Sequence, residues 1–194
     1  MTASVPGQSD PSAPFGLRRM GEGPSDWALV VALVLSCSTA SLRSRFALPR
    51  APTREELLRR FRGFLLAGPP DGVALLATAA NEPVGLLNLV PDHDHQAEMA
   101  VLVADAWQHH GVGTYLTASV REIGRWQGWT VRAVVETDNR PARALLRRHR
   151  VGPTRCTSIQ FGQWQYTITV AAPQRPTSQE TAWTTTSSPA AAPR

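Results

Sequence analysis

A short glycine-rich loop is the part of the chain whose residue types could do chemistry. It reads Gln108-His-His-Gly-Val-Gly113, follows an apolar segment and precedes a helical pattern. Glycines at such a place let backbone N–H groups approach an anion closely, and the N-terminus of the next helix adds a partial positive charge. The loop is therefore predicted to bind a pyrophosphate group.

Two other kinds of phosphate-binding loop fit these residues poorly. A Walker loop requires a lysine after its second glycine, and the sequence contains no lysine. A dinucleotide-binding fingerprint requires a third glycine where this chain has Leu116, and it also requires repeated strand–helix units. The order of elements predicted below lacks those units.

The charge balance also indicates an anionic partner. The 194-residue chain has 20 basic and 15 acidic residues, a net charge of +5, and every basic residue is an arginine. Nine of the arginines lie between positions 121 and 155. Because no helix-turn-helix, zinc-finger or aromatic RNA-binding motif accompanies them, attraction of an anionic cofactor is preferred to nucleic-acid recognition.

The periodicity of the apolar residues predicts the elements that position this loop. Their order is β-α-α-β-β-β-α-β-α-β-β, which makes an α+β domain with a mixed sheet. The first helix, from 25 to 35, is expected to be capped by Ser25 or Asp26, and the second begins at the capping box Thr53-Arg-Glu-Glu56. Strands are expected at 15–20, 73–80, 84–89, 98–103, 131–136, 155–161 and 164–170, and the later helices begin near 112 and 139.

Composition sets the limits of this domain. The segments 1–14 and 171–194 are rich in Ser, Pro, Ala and Thr, so both are predicted to be flexible tails around one domain at 15–170. The apolar run at 27–35 is too short for a membrane span, which takes about 20 residues. Acidic residues and glycines between this run and the upstream arginines argue against a signal peptide. A cytoplasmic protein with both cysteines reduced and buried is expected.

Two segments resemble the GNAT N-acetyltransferases. Glu98-Met-Ala-Val-Leu-Val-Ala-Asp-Ala-Trp-Gln-His-His-Gly-Val-Gly113 is similar to the fourth strand and acetyl-coenzyme A loop of that family. Ala133-Val-Val-Glu-Thr-Asp-Asn139, followed by Pro141-Ala142 and Leu145-Leu146, is similar to its fifth strand and the next helix. The resemblance implies a sheet whose fourth and fifth strands splay apart. It also implies transfer of an acetyl group from acetyl-CoA to a primary amine, of a protein lysine or a small molecule, by direct attack in a ternary complex.

The resemblance further implies roles for individual residues. Glu98 would be the base that deprotonates the amine, the alternative being an ordinary solvent-facing strand glutamate. Asn139 would hydrogen-bond the pantetheine arm of the cofactor, and Arg143 would lie near its phosphates. Backbone groups of the strand would pair with the same arm, and loop groups would hold the pyrophosphate. The strand residues are Val101, Leu102 and Val103, and the loop residues are Gln108, His109, His110, Gly111, Val112, Gly113 and Thr114.

Departures from the family pattern leave a second function open. Leu146 stands where many members have a tyrosine that protonates the leaving thiolate, and Tyr115 and Cys156 are the remaining candidate donors. A thiolate whose parent thiol has a pKa of about 8.5 can leave without such an acid. Arg150-Val151 replaces a Gly-aromatic pair, and a non-glycine left-handed residue costs about 1 kcal/mol, so a reshaped helix end is predicted. The alternative function is a catalytically weak or inactive acyl-CoA-binding regulatory domain.

Two further motifs concern the acceptor and metal binding. The stretch Ser38-Thr-Ala-Ser-Leu-Arg-Ser-Arg-Phe46 resembles one in bacterial protein-lysine acetyltransferases, which also carry a glutamate at the position of Glu98. Asp92-His-Asp-His95 has a metal-like composition, but adjacent residues of a turn rarely converge on one ion and no cysteine or distant histidine completes a set. No metal is therefore expected, and the turn can instead border the acceptor site.

Overall fold

Seven strands form one mixed sheet in the order β1-β2-β3-β4-β5-β7-β6. The structure is a computed structural model that describes residues 15–21, 23–66, 72–149 and 151–171, without the side chains of 158–160. The predicted tails 1–14 and 171–194, apart from Ala171, lie outside the described residues, as does Arg150.

The elements follow the predicted order with one helix added and another divided. The strands are β1 (Gly16–Arg19), β2 (Val73–Ala79), β3 (Glu82–Pro91), β4 (Gln96–Val103), β5 (Thr130–Glu136), β6 (Thr154–Gln160) and β7 (Gln163–Thr169). The helices are α1 (Pro24–Leu35), α2 (Thr39–Arg45), α3 (Arg54–Arg60), α4 (Arg62–Leu65), α5 (Val112–Ser119) and α6 (Arg140–Arg148). Short 3-10 helices cover Asp105–Trp107, Val120–Glu122 and Gly124–Trp126. The predicted mixed sheet and α+β class are confirmed.

The first helix begins differently from the prediction. Its N-cap is Gly23, and neither Ser25 nor Asp26 caps it, because the helix already starts at Pro24. The Asp26 carboxylate is buried and accepts hydrogen bonds from the Arg18 guanidinium and from the Gly21 N–H group, at 2.9 and 2.7 Å. This aspartate therefore fixes the segment between β1 and α1 instead of capping the helix.

The additional helix α2 was not predicted because it buries only one apolar side chain fully, that of Leu42. Its start is nevertheless well defined, since the Ser38 hydroxyl accepts a hydrogen bond from the Ser41 N–H group at 3.2 Å. Ser38 is thus a typical N-cap residue. A helix this short is held by its contacts with the rest of the protein more than by its own propensity.

The predicted cap of the next helix is confirmed in part. The Thr53 hydroxyl accepts a hydrogen bond from the Glu56 N–H group at 3.1 Å, but the Glu56 carboxylate pairs with Arg50 at 3.4 Å. The helix is interrupted at Phe61, whose φ of −108° and ψ of 15° separate α3 from α4. The ring of Phe61 packs against that of Phe46, with centroids 4.4 Å apart.

The β2–β3 hairpin turns two residues earlier than predicted. Ala80 and Asn81 form the turn with φ values of 48° and 69°, as a two-residue hairpin with right-handed strand twist requires. Glu82 and Pro83, which were predicted as turn residues, therefore belong to β3. Pro83 lies opposite Thr78 at a β-bulge, where an irregular ladder tolerates its missing N–H group.

The sheet carries an apolar cluster on each face. Helices α1 to α4 cover one face, with Leu33 and Leu57 among the fully buried side chains, and α5 covers the other with Leu116. Helix α5 lies directly on β3 at Gly85, where an added Cβ atom would stand 2.6 Å from Val112 Cγ1. The beginning of α5 is therefore held close to the sheet.

The two central strands separate after a short parallel contact. Their register contains only three pairs, of which Gln96–Thr130 is the first and Glu98–Arg132 the last. Beyond Glu98 the strand β4 continues to Val103 without pairing with β5, whose other edge pairs with β7 over its whole length. The predicted splaying is confirmed, and it opens a gap in the middle of the sheet.

The structure bears on two further predictions, the burial of the two cysteines and the length of the apolar helices. Cys37 is buried as predicted, but Cys156 is exposed because β6 is an edge strand of the sheet. Among the described residues, no single helix is long and apolar enough to cross a membrane, although α1 and α2 would pass that test as a pair bent by 116°.

Candidate active site

A cavity of about 1230 Å³ occupies the gap between the splayed strands. Its walls come from α2, β4, the loop before α5, β5 and α6. Most of the residues predicted for the site line it. They are Glu98, Val101, Leu102, Val103, Gln108, His109, Gly111, Val112, Gly113, Thr114 and Asn139. His110 and Arg143 are not among the described lining residues.

One residue of the glycine loop has a left-handed backbone conformation, which only glycine adopts easily. Gly111 is the N-cap of α5 with a φ of +88°, and its carbonyl accepts the first helical hydrogen bond from the Tyr115 N–H group. The N–H groups of the first turn therefore have no partner within the helix, and the residues Gly111, Val112 and Gly113 line the cavity. This geometry suits an anion.

A polar network joins this loop to helix α2. The Gln108 amide donates to the Ser41 hydroxyl at 3.1 Å, and that hydroxyl donates to the Asp105 carboxylate at 2.8 Å. The Ser38 N–H group donates to the same carboxylate at 3.2 Å. Burial raises the pKa of Asp105, but the hydrogen bonds from Ser38 and Ser41 and the charge of Arg54 lower it more, so that the pKa lies below its ordinary value. Asp105 and Ser41 were not among the residues predicted for the site.

Glu98 stands at the point where the strands separate. It is the last residue of β4 in register with β5, it is exposed, and it lines the cavity. Its carboxylate makes no hydrogen bond or ion pair with another described residue. It is therefore free to accept a proton from a molecule in the cavity.

A half-buried arginine lies on the same wall and was also missed. Arg45 Nη2 donates to Asn88 Oδ1 at 2.8 Å, and the fully buried Asn88 donates to the carbonyl groups of Phe64 and Leu65 at 3.0 and 3.3 Å. The guanidinium lies 4.9 and 5.3 Å from the ring centroids of Phe46 and Phe64. Burial lowers the pKa of Arg45 to about 10, and the negative charge of Glu98 opposes this effect.

A second arginine of α2 ties that helix to the end of β5. The Arg43 guanidinium donates two hydrogen bonds to the Glu136 carboxylate, at 2.9 and 3.2 Å, and the Ser44 hydroxyl donates to the same carboxylate at 2.8 Å. Because Arg43 and Ser44 both line the cavity, this ion pair holds the wall formed by α2 against the opposite strand.

The two residues at helix α6 that were predicted to contact the cofactor, Asn139 and Arg143, form hydrogen bonds within the protein. The Asn139 side chain caps the helix, accepting a hydrogen bond from the Ala142 N–H group at 3.0 Å. Arg143 donates to the Thr137 carbonyl at 3.0 Å and lies over the Trp164 ring at 4.8 Å. Arg140 and Arg148 line the cavity from the same helix. The cofactor roles assigned to Asn139 and Arg143 therefore stay predictions.

The family of the chain follows from comparison with known proteins. A model of the acetyltransferase (GNAT) family matches residues 39–150, which include α2, the splayed strands, the glycine loop and α6. The chain belongs to the GNAT acetyltransferase family. Among curated protein sequences, none matches it.

Solved GNAT structures share the fold at low sequence identity. The GNAT domain of S. lividans PAT is 21% identical with a TM-score of 0.64, covering 78% of this chain and 88% of that one. The PaiA N-acetyltransferase of Thermoplasma acidophilum, solved with coenzyme A, is 14% identical with a TM-score of 0.58, at coverages of 80% and 98%. The spermidine N-acetyltransferase of Vibrio cholerae, solved with CoA and spermine, is 14% identical with a TM-score of 0.56, at coverages of 80% and 94%.

This GNAT domain has an apolar residue where many members have the tyrosine acid. Leu146 is buried and lines the cavity, and the described lining residues include no tyrosine or cysteine. Tyr115 packs against Phe15 with ring centroids 5.6 Å apart, and Cys156 lies on the edge strand β6. Neither candidate donor lines the cavity.

The last residue described at the end of α6 in this GNAT domain is His149. His149 terminates the helix with φ −61° and ψ 159°, which is extended backbone. Its Nδ1 atom accepts a hydrogen bond from the Val151 N–H group at 3.0 Å, and its Nε2 atom lies 2.6 Å from the Thr154 hydroxyl. Arg150, which was predicted to replace the glycine of a Gly-aromatic pair, lies outside the described residues, so the reshaped helix end stays a prediction.

The acidic and histidine-containing turn of this GNAT domain is held by polar contacts of Asp92. Asp92 contacts His93 Nδ1 at 2.6 Å and the Arg132 guanidinium at 2.8 Å. Within the described ranges, no three His, Cys, Asp or Glu side chains are grouped as a metal site would require. The expectation that no metal binds stays a prediction.

Proposed function

We propose that this domain transfers an acetyl group from acetyl-CoA to a primary amine by direct attack within a ternary complex. The observation that carries the proposal is the gap between β4 and β5. It begins at the unpaired carboxylate of Glu98, and the loop with Gly111 lines the same cavity. A base and an anion-binding helix terminus thus belong to one cavity, as acyl transfer from a phosphate-bearing thioester requires.

The cavity walls fit the cosubstrate by hydrogen bonding and by apolar contact. The unpaired backbone of Val101, Leu102 and Val103 would bond the pantetheine arm like an added strand. Val134 on the opposite strand is 48% exposed, although it is apolar, and the arm would cover it. The N–H groups at the start of α5 would hold the pyrophosphate, with His109, Arg140 and Arg148 as nearby groups that can carry positive charge.

Glu98 would take one proton from the substrate ammonium group, and the amine nitrogen would then attack the thioester carbonyl carbon. Neighbouring backbone N–H groups can stabilise the negative charge that develops on the carbonyl oxygen. The carbon–sulfur bond breaks and the nitrogen loses a second proton to solvent, and the thiolate takes up one proton from solvent, because Leu146 cannot supply one. The products are an acetamide and free CoA.

A second function, non-catalytic acyl-CoA binding in a regulatory domain, is favoured by one observation only. The described lining residues lack a tyrosine or cysteine acid. The two functions share the cofactor and differ in turnover, so a single set of measurements separates them.

Calorimetric titration with acetyl-CoA and steady-state release of free thiol, measured with a panel of amines and lysine peptides, tests the proposal. Saturable binding and amine-dependent thiol release support acetyl transfer. Binding without release on any acceptor supports the regulatory function, and absence of binding contradicts both. Mass spectrometry of the product distinguishes amine acetylation from hydrolysis of the thioester.

A further inference from the structure

The wall of the cavity formed by α2 and β4 carries one negative and one positive side chain without a close ion-pair partner. Glu98 makes no hydrogen bond with another described residue, and Arg45 uses only its Nη2 atom, toward the neutral Asn88. Arg45 Nε is buried without a hydrogen-bond partner. The Nη1 atom of this half-buried guanidinium makes no hydrogen bond with another described residue, so it is the donor that remains for a bound anion.

Backbone register brings the two charges near each other. Asn88 on β3 lies opposite Ala100 on β4, and Glu98 is the next residue of β4 on the same face. Glu98 is therefore the diagonal neighbour of the side chain that holds Arg45, a separation of about 7–8 Å between such positions. Both Glu98 and Arg45 line the cavity.

The other charged groups near this wall already have partners. The charge of Arg43 is matched by Glu136, and that of Arg132, opposite Glu98, is matched by Asp92 at 2.8 Å. Among the described residues of this wall, Arg45 is thus the cation left to pair with a bound molecule. The rings of Phe46, Phe61 and Phe64 line the same cavity and offer apolar contacts beside the charge.

We infer that the acceptor is an amino acid, in which a carboxylate accompanies the reacting amine. Glu98 faces the ammonium group, Arg45 pairs with the carboxylate, and the phenylalanine rings contact the side chain. This inference rests on the proposed function and names the substrate class of the same site. A fixed positive charge here also disfavours polyamines, whose second ammonium group would meet Arg45.

Matched pairs of amines that differ only by the carboxylate test this inference. The pairs are phenylalanine with phenethylamine and lysine with cadaverine, and the measurement is kcat/KM for thiol release at saturating acetyl-CoA. A charge-assisted hydrogen bond predicts that the wild-type domain prefers the carboxylate member of at least one pair by about 10- to 100-fold. Arg45→Gln should abolish that preference, so that kcat/KM of the carboxylate member falls at least tenfold relative to that of its decarboxylated counterpart.

Two measurements keep the test decisive. Arg43→Gln serves as the matched control, since it removes a charge from the same wall that Glu136 already neutralises, and it should preserve the preference. If Arg45→Gln fails to fold, the wild-type ratios alone decide.

Amine turnover with ratios within about twofold for both pairs would overturn the inference and leave the proposed function intact. A higher kcat/KM for spermidine or for an internal peptide lysine than for every amino acid would likewise overturn the inference and leave the proposed function intact. No turnover of any amine, with acetyl-CoA still bound, would instead contradict the proposed function itself.

Discussion

Glu98 and Arg132 form the last registered pair between β4 and β5. The two side chains leave neighbouring strands on the same face, yet the Arg132 guanidinium pairs with Asp92, across the turn between β3 and β4, at 2.8 Å. The carboxylate of Glu98 consequently keeps no ion-pair partner within the described residues at the place where the strands part. No salt bridge therefore blocks the oxygens of this carboxylate from a bound molecule, although the charge of Arg45 on the same wall acts on it.

Replacing Glu98 by glutamine removes the proton acceptor and preserves the shape of the side chain. Loss of a positioned base should lower kcat by about 10²–10⁴-fold, with an unchanged dissociation constant for acetyl-CoA. Steady-state kinetics together with calorimetry measure both quantities. Glu82→Gln, at the exposed start of β3, is the matched control and should keep full activity. A Glu98→Gln enzyme with wild-type kcat would exclude this residue as the base.

Replacing Gly111 by valine tests the anion-binding role of the loop. The φ of +88° strains any residue with a Cβ atom, although no neighbour lies within 4 Å. The strain costs about 1–2 kcal/mol, and relief of it would turn the first N–H groups of α5 away from the cofactor. We expect the dissociation constant for coenzyme A to rise at least tenfold.

Gly128 provides the control for that experiment. Its φ is +79° and its surroundings are equally open, but it lies outside the described lining of the cavity. Gly128→Val should lower the free energy of unfolding by a similar amount and leave coenzyme A affinity unchanged. Equal losses of affinity in the two variants would mean that the loop acts only through stability.

The ion pair between Arg43 and Glu136 should contribute measurably to stability. The two side chains are 34% and 16% exposed, and the contact is bidentate, so its coupling free energy should exceed that of a fully exposed pair. A double-mutant cycle with Arg43→Met and Glu136→Gln is expected to give about 1–2 kcal/mol in chemical denaturation. A coupling indistinguishable from zero would show that solvent screens this pair despite its geometry.

The histidine that ends α6 predicts a pH dependence of stability. Burial holds the pKa of His149 below its ordinary value of 6.5, so the folded state binds fewer protons than the unfolded state as the pH falls below 6.5. The free energy of unfolding should therefore keep the full contribution of neutral His149 above pH 6.5, and it should decrease as the pH falls through that value. Protonation of Nδ1 also removes the acceptor of the Val151 N–H group.

The measurement is the urea midpoint of unfolding at pH 7.5 and pH 5.5 for the wild type and for His149→Gln. The variant should be less stable at pH 7.5 and should lose less stability on acidification than the wild type. An equal acid-induced loss in both proteins would assign the pH dependence to other groups.

Local patterns predicted the parts of the site that one segment builds alone. The apolar run of β4, the glycines of the loop and the Asn139-Arg-Pro141 start of α6 each lie within a few residues, and their backbone requirements are visible in residue type. Helix α2 was missed because Leu42 is its only fully buried side chain, which leaves no helical periodicity to detect.

The contacts that organise the acceptor wall could not be predicted in this way. Gln108 bonds to Ser41, 67 residues away along the chain, and Arg45 bonds to Asn88, 43 residues away. Such pairs depend on how α2 is laid across the sheet, and that placement follows from packing rather than from local sequence. The part of the cavity built by β4 and the glycine loop was thus predictable, and the part built by α2 required the structure.

Gly85 shows how distance alone can make a position indispensable. Helix α5 packs so close to Gly85 that there is room only for a hydrogen atom. Any larger side chain would have to push Val112 and Leu116 away from β3. In a saturation mutagenesis screen for activity, Gly85 should tolerate as few substitutions as Gly111, even though it would never touch a substrate. Scored by tolerance only, this spacer within the sheet would be mistaken for part of the catalytic apparatus.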